Sequence, residues 1–353
     1  MCVDQYSTMI DDCALINHKD TINKMYRTTL VDECVKSYEL TGKLFSIKNC
    51  NKQIGSKRKR MYNSESIHKE AIQIKHMYEA FITKLPLDIK DNSLLNDCDT
   101  ETKIVRELAH RLFETTVFDH IGLNGGNNSD TSIKCKINGE PFLIPPNSRF
   151  YCGCVKEQCA KLEGNQYDIL IADPPWWNKY IRRLKSANDK LSYKMMYNED
   201  IASIPVANLL GPNSLVAVWC TNSPSNIDAL KNTIFPQWGV TYITTWYWLK
   251  VTVDYQPVTP FATGLAKQPF ERIIIGRIGD IKVPETKLII SVPSALHSHK
   301  PPLLDLLKPY VKSESPATLE LFARYMLPNT TSVGYEPLKL QHISLYDEVT
   351  NKE

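Results

Sequence analysis

Asp173-Pro174-Pro175-Trp176 follows directly on Ile169-Leu170-Ile171-Ala172, a short apolar run of strand character. A buried strand ending in an acid and two prolines sets a carboxylate just outside the sheet, where open α/β sheets bind ligands. The prolines fix the backbone, so the Asp173 carboxylate and the Pro174 carbonyl are in place as acceptors before any substrate arrives. Such a pair could ready a delocalised amine for alkylation, for example the exocyclic amine of adenine. With its two N–H bonds accepted, that amine is drawn out of the ring plane and its lone pair is localised toward an electrophilic methyl. Pro175 completes the rigid turn, and Trp176 offers a flat face for the base, a contact of roughly 1–3 kcal/mol. The structural alternative is a strand closed by a proline turn, with Trp176 packed as a core aromatic.

Further motifs occur in a set order: Asn178-Lys179 after the tetrapeptide, Trp219-Cys220-Thr221-Asn222, Trp246-Tyr247-Trp248-Leu249-Lys250, His297-Ser298-His299-Lys300-Pro301 and Glu320-Leu321-Phe322-Ala323-Arg324. Together with Asp173-Pro174-Pro175-Trp176 they resemble the eukaryotic N6-adenine methyltransferases that include the RNA N6-methyladenosine writers, and within that family the methyltransferase-like protein 4 subfamily. The resemblance covers roughly Phe150 to His342.

The resemblance implies a Rossmann-like class I methyltransferase fold in a permuted order, with the catalytic strand preceding the main cofactor strand, and S-adenosylmethionine as methyl donor. It places the donor against Cys152, Gly153, Cys154 and Asp173, with Lys300 on the methionine carboxylate and Glu320 on the ribose hydroxyls. Arg324, Tyr325, Gly334, Tyr335 and Glu336 complete that site. The chain departs from the family at Tyr325 and Tyr335, where relatives carry asparagines that contact the cofactor. Independently of the family, Pro301 and Pro302 suit the first turn of a helix, whose N-terminus would help Lys300 hold an anion.

The stretch Asn178 to Lys194 carries Lys179, Arg182, Arg183, Lys185, Lys190 and Lys194 against the single acid Asp189, with Tyr180 and Tyr193 interleaved. Cations for phosphates and aromatics for bases suit a nucleic-acid rim at the mouth of a site. The alternative is a solvated surface loop. Trp177, Asn178, Lys179, Arg182, Arg183, Tyr193, Asn222, Lys250 and Lys267 are the expected substrate contacts. In the family, the loops after the tetrapeptide and around Val251 to Gln268 gate the substrate. A target base must leave its stack to reach Asp173, which favours single-stranded or bulged RNA without excluding DNA. The subfamily resemblance implies an internal adenosine of spliceosomal small nuclear RNA, 2′-O-methylated adenosine included, with DNA adenine as the rival. Two other readings stay open: a catalytically silent RNA-binding homologue, and an amino-methyltransferase acting on protein or a small molecule.

The elements that must position these residues are α/β in character. After Pro145-Pro146, candidate strands Asp168–Ala172, Leu215–Cys220, Thr241–Trp248, Arg272–Gly276, Leu288–Val292 and Thr318–Phe322 alternate with helical stretches, including Asn198 to Leu210 and Leu303 to Tyr310. Buried runs of this kind suit a mostly parallel, doubly wound sheet. A mainly helical region is expected ahead of it. Ile67, Ala71, Ile74, Met77, Tyr78, Phe81 and Leu85 form one stripe ended by Pro86, and Ile104, Leu108, Leu112 and Phe113 form another, on a helix from about Thr100 to Val117. Gly122 to Ser132 reads as an exposed loop. The expected divisions are 1–62, weakly structured; 63–130, helical; and 131–353, the methyltransferase domain.

Basic and acidic residues nearly balance at net +3, so the totals favour no partner. The local run Lys57-Arg58-Lys59-Arg60 reads either as a nuclear import signal or as an ordinary solvated charge run. No apolar run is long enough to cross a bilayer, and the N-terminus lacks a secretory pattern. The cysteines are expected to be reduced. The cluster Cys152, Cys154 and Cys159 lacks zinc-site pairing and reads as small buried residues, with no metal expected. The expected location is nuclear, with cytoplasm as the alternative, and no obligate protein partner is evident.

Overall fold

The computed structural model describes residues 2–4, 7–47, 65–87, 89, 102–115, 120–177, 195–262 and 267–349. The strands are β1 Cys2–Asp4, β2 Ser7–Ile10, β3 Cys13–Ile16, β4 Thr29–Val31, β5 Cys34–Leu40, β6 Asn124–Asn127, β7 Ser132–Ile137, β8 Glu140–Ile144 and β9 Ser148–Cys152. They continue with β10 Tyr167–Ala172, β11 Leu210–Cys220, β12 Thr241–Lys250, β13 Phe270–Ile278, β14 Leu288–Ser291, β15 Thr318–Leu321, β16 Thr330–Gly334 and β17 Tyr346–Val349. The helices used below are α1 His18–Asn23, α2 Glu65–Lys84, α3 Thr102–Thr115, α4 Val155–Lys161 and α5 Leu304–Leu307.

The main sheet has the order β1-β2-β3-β14-β12-β13-β11-β10-β15-β16-β9-β6. From β3 to β9 only β13 runs against the rest. β10 lies near the middle, hydrogen-bonded to β11 on one side and β15 on the other. Its alternate residues feed two different cores: Leu170 and Ala172 one, Ile169 and Ile171 the other. That explains its unbroken apolar run, because a strand covered on both faces has no solvent side to mark with polar residues. The chain leaves β10 toward β11 and returns on the far side as β15. This makes the carboxyl end of β10 a switch point, where a crevice opens.

The N-terminal region differs from the reading above. Residues 2–4 and 7–40 form five strands and α1, not a weakly structured segment. β3 pairs in parallel with β14 and extends the main sheet, while β4 and β5 join β7, β8 and β17 in a second, five-stranded sheet. The region is therefore mixed rather than mainly helical. α2 does bury Ala71, Ile74, Tyr78 and Phe81, but these share one cluster with Tyr26, Leu249, Ile290 and Tyr346. The helices have no core of their own. On α3 the buried face carries Val105 and Ala109, and Ile104 is 52% exposed. Helical stripes only a residue apart are hard to tell apart from apolarity alone. The run Lys57-Arg58-Lys59-Arg60 lies outside the described residues.

Gly122 to Ser132 is not an exposed loop throughout, since β6 within it forms the sheet edge against β9. A Cβ on Gly126 would stand 2.0 Å from the Ser148 carbonyl oxygen, so only glycine permits this approach. Asn127 is buried, and its amide donates to the carbonyls of Thr131 and Pro145 at 2.7 and 3.1 Å.

Candidate active site

Pro174 and Pro175 cannot donate to a ladder, so the chain leaves the sheet at Asp173, whose N–H donates to Leu321 O at 3.3 Å. The turn is then tied down. Trp176 N–H donates to Pro174 O at 2.8 Å, Met196 N–H to Pro175 O at 2.9 Å, and Trp177 N–H to Met196 O at 3.0 Å. Trp176 Nε1 donates to Trp219 O at 2.8 Å. A carbonyl has two lone pairs, so Pro174 O keeps one for a ligand.

Asp173 opens into a cavity of about 1040 Å³ whose walls include Trp177, Tyr197, Asn222, Lys250, Lys267 and Lys300. Lys300 Nζ lies 3.9 Å from Asp173 Oδ1 and is hydrogen-bonded to Glu271, which also binds Lys250. The two ammonium groups lie over aromatic rings, Lys300 4.9 Å from the Trp219 centroid and Lys250 4.5 Å from that of Trp248. Two acids and two cations thus form a neutral quartet in a half-buried place. Burial pushes the Asp173 carboxyl up, with Lys300 and Arg324 opposing. Burial also acts to raise Glu271, but Lys300 and Lys250 outweigh it and hold the acid down to about 2. Burial lowers Lys250, whereas at Lys300 the attraction of Asp173 and Glu271 outweighs burial and raises it. His297, on the same wall, is pushed down to about 4 by burial and by Arg324 and Lys300, so near neutrality its ring is uncharged.

A second cavity of about 270 Å³ shares Pro175 and Arg324 with the first. Its walls also include Cys154, Val155, Met196, Phe322, Tyr335 and Glu336. Arg324 is buried and pairs with Glu336 at 3.0 Å. Glu320, which is opposite Ile171 in the β10–β15 ladder, has a fully buried Oε2 with no hydrogen-bond partner. Burial, with Asp173 nearby, pushes its carboxyl up to about 8. Buried polar atoms are normally satisfied, so this orphaned oxygen has room for a donor from a ligand, although Glu320 itself lines neither cavity.

Comparison with known families decides what this crevice belongs to: the MT-A70 family matches residues 167–336. The chain carries an MT-A70 domain. The domain runs from β10 through Glu336 and so takes in every site element described above except α4 and Cys154. The human N(6)-adenine-specific methyltransferase METTL4 is 34% identical over 234 residues, 62% of this chain and 48% of the relative. A Caenorhabditis elegans DNA N6-methyl methyltransferase is 40% identical over 211 residues, 58% of this chain and 55% of the relative. The N6-methyladenosine RNA methyltransferase MTA1 of Cryphonectria parasitica is 34% identical over 207 residues, 56% of this chain and 60% of the relative. The chain spans about half the length of the curated relatives it matches.

Within the MT-A70 domain, Asp173, Pro174, Pro175, Trp177, Asn222, Lys250, Lys267, Lys300 and Arg324 line the large cavity together. Four sequence expectations are corrected. Trp176 reaches the cavity but is only 5% exposed and belongs to a core cluster, so it offers no open face to a base. Trp177 is less buried and stacks on Tyr197 at 5.9 Å and 19°, a better platform. Tyr325 lines neither cavity. It is buried, and its hydroxyl donates to Lys300 O at 2.9 Å, which holds the Lys300 loop from behind. Cys152 and Gly153 also stand back, their N–H groups donating to Leu123 O and Gly334 O; of the three expected contacts only Cys154 lines a cavity. Gly334 serves this packing, since a Cβ there would press on the Ala323 backbone at 3.2 Å. Finally, Pro301 and Pro302 do not open a helix. The four-residue α5 begins only at Leu304, so no helix N-terminus stands at Lys300.

Asn178, Lys179, Arg182, Arg183 and Tyr193 lie outside the described residues. Burial pushes the Cys152 and Cys159 thiols up to about 12, consistent with protonated core residues. Sequence reasoning missed Glu271. Its signal was a lone acid beside Arg272 in the apolar strand Phe270-Glu271-Arg272-Ile273-Ile274-Ile275.

Proposed function

We propose that the chain transfers a methyl group from S-adenosylmethionine to N6 of an adenine in nucleic acid. The observation that carries this reading is the Asp173 carboxylate, strapped at the end of β10 and facing a cavity large enough for a flipped base. The donor fits the residues present. The orphaned Glu320 oxygen suits ribose hydroxyls, Lys300 suits the methionine carboxylate, and Val155, Met196 and Phe322 give apolar walls for an adenine ring. When bound, S-adenosylmethionine supplies an electrophilic methyl on a sulfonium. Asp173 and the free lone pair of Pro174 O accept the N–H bonds of the target amine and orient its lone pair. Trp177 and Tyr197 stack the extruded base. Lys300 and Glu271 keep the Asp173 surroundings near neutral, which favours a cationic donor. As the new N–C bond forms, the amine loses one proton, and Asp173 is placed to receive it and pass it to water.

The strand order supports a permuted class I arrangement, because the strand carrying Asp173 precedes in the chain the parallel neighbour carrying Glu320. RNA is the favoured substrate on physical grounds, since an unpaired adenosine needs no duplex opening. Small nuclear RNA, 2′-O-methylated adenosine included, is the finer proposal from subfamily resemblance. DNA is the second reading, favoured by the similarity to the Caenorhabditis elegans relative. A nuclear location is also proposed, on the Lys57-Arg58-Lys59-Arg60 run. The test offers labelled S-adenosylmethionine with matched RNA and DNA oligonucleotides over a range of salt. Transfer to adenine N6, weakening steeply as salt rises, is expected. A protein whose melting temperature saturating donor leaves unchanged, and which transfers no label, would instead be a silent RNA-binding homologue.

A further inference from the structure

Asn222 lines the large cavity, and its amide is not free to turn. Its oxygen accepts a hydrogen bond from the Arg272 guanidinium, and its nitrogen donates to Phe270 O at 3.0 Å. Arginine only donates and a carbonyl only accepts, so these neighbours permit one orientation of the amide. One N–H of this cavity-lining residue remains without a hydrogen-bond partner among the described residues. Arg272 is itself 1% exposed in β13, between the rings of Tyr247 and Phe270. Its other arm is ion-paired with Glu70 of α2, and Tyr247 OH donates to the second Glu70 oxygen at 3.0 Å. A buried guanidinium needs such a partner. The partner comes from a helix outside the MT-A70 domain.

We infer that Glu70 is a positioning residue, which through Arg272 locks Asn222 as a hydrogen-bond donor that reads a ring-nitrogen acceptor of the target purine. This deepens the proposed reading and rests on it. It gives the N-terminal helix a part in substrate choice. Were the amide reversed, its oxygen would face the cavity and favour bases presenting a donor; held as it is, the wall favours adenine ring nitrogens N1, N3 or N7.

The test measures equilibrium binding and methyl transfer for oligonucleotides carrying adenine, 1-deazaadenine, 3-deazaadenine or 7-deazaadenine at the target. Wild type should bind one of the three analogues about fivefold more weakly than adenine, the loss of one hydrogen bond. Asn222→Ala should bind that analogue and adenine alike. Glu70→Ala should lose the discrimination through KM with kcat little changed. Glu70→Gln, which keeps an acceptor for Arg272, should restore it. α2 stays anchored by Ala71, Ile74, Tyr78 and Phe81, and melting curves of each variant check this. Equal discrimination in wild type and Asn222→Ala would overturn the inference, as would a Glu70→Ala protein that folds and discriminates like wild type. Absence of transfer to every oligonucleotide, with the binding pattern intact, would overturn the methyltransferase reading and leave this one standing.

Discussion

Lys300 Nζ stands 3.9 Å from Asp173 Oδ1, within reach of an ion pair and too far for a hydrogen bond, because Glu271 holds the ammonium. The acid that would receive an amine hydrogen is therefore steadied by a cation without being capped by it. Its oxygens stay open to the cavity.

Glu271 should consequently matter more than its place in an apolar strand suggests. Glu271→Gln leaves Lys300 and Lys250 facing Asp173 alone, a net positive site. We expect about tenfold weaker binding of the cationic donor by calorimetry. Stability should fall by about 2 kcal/mol, less than the 3–5 kcal/mol of a fully buried pair. Unchanged donor affinity would argue that the quartet is structural only.

Two acids give opposite pH dependence. Glu320 is raised from 4.5 to about 8, so between those values the folded chain keeps a proton that the unfolded chain has lost. Its contribution to stability declines as pH rises through that window. Glu271, lowered to about 2, contributes stability above about pH 4.5 and loses it as pH falls toward 2. Denaturant titrations from pH 3 to 9 should show both slopes, and Glu320→Gln should remove the alkaline one. Donor hydroxyls and a sulfonium both favour ionised Glu320, so donor affinity should rise with pH up to about 8 in wild type and stay level in Glu320→Gln.

Gly126→Ala tests the reassigned edge strand. Its Cβ would meet the Ser148 carbonyl, so the β6–β9 pairing must open. Destabilisation of about 1–3 kcal/mol is expected, measured by urea unfolding. Gly122→Ala would be a poor control because Gly122 has φ +88°; Gly211→Ala, with ordinary backbone and 3.5 Å of clearance, should be close to neutral.

The strands that carry the site were legible because each is an apolar run buried on two faces, as in Ile169-Leu170-Ile171 and Ile273-Ile274-Ile275. β6 was not, because Asn124-Gly125-Gly126-Asn127 pairs through backbone alone and has no apolar side chain to announce it. β5 is exposed on both faces at its start, at the consecutive residues Cys34 and Val35, and its mixed composition reads as a loop. In the site, motif order pointed to Asp173, Lys300 and Arg324, which line the large cavity together, and to Glu320, which lines neither cavity. Tyr325 was misassigned because motif position does not say which way a side chain turns. The Glu70–Arg272–Asn222 chain joins residues 202 apart in sequence, and no local pattern contains it.

The proposed role of the Asp173 carboxylate is to ready an adenine amine for methylation. The most direct measurement is the yield of N6-methyladenine, identified by mass spectrometry, from wild type and from Asp173→Asn at saturating S-adenosylmethionine and oligonucleotide. Asparagine keeps the shape and removes the charged acceptor. A fall of about 10²–10³-fold in turnover is predicted, the loss typical of one electrostatic contact in a transition state, in a protein that still folds and whose donor affinity falls only about tenfold, as for Glu271→Gln, because the quartet is left with the same net positive charge. Turnover near wild type in a folded Asp173→Asn protein would contradict the account and place the chemistry elsewhere.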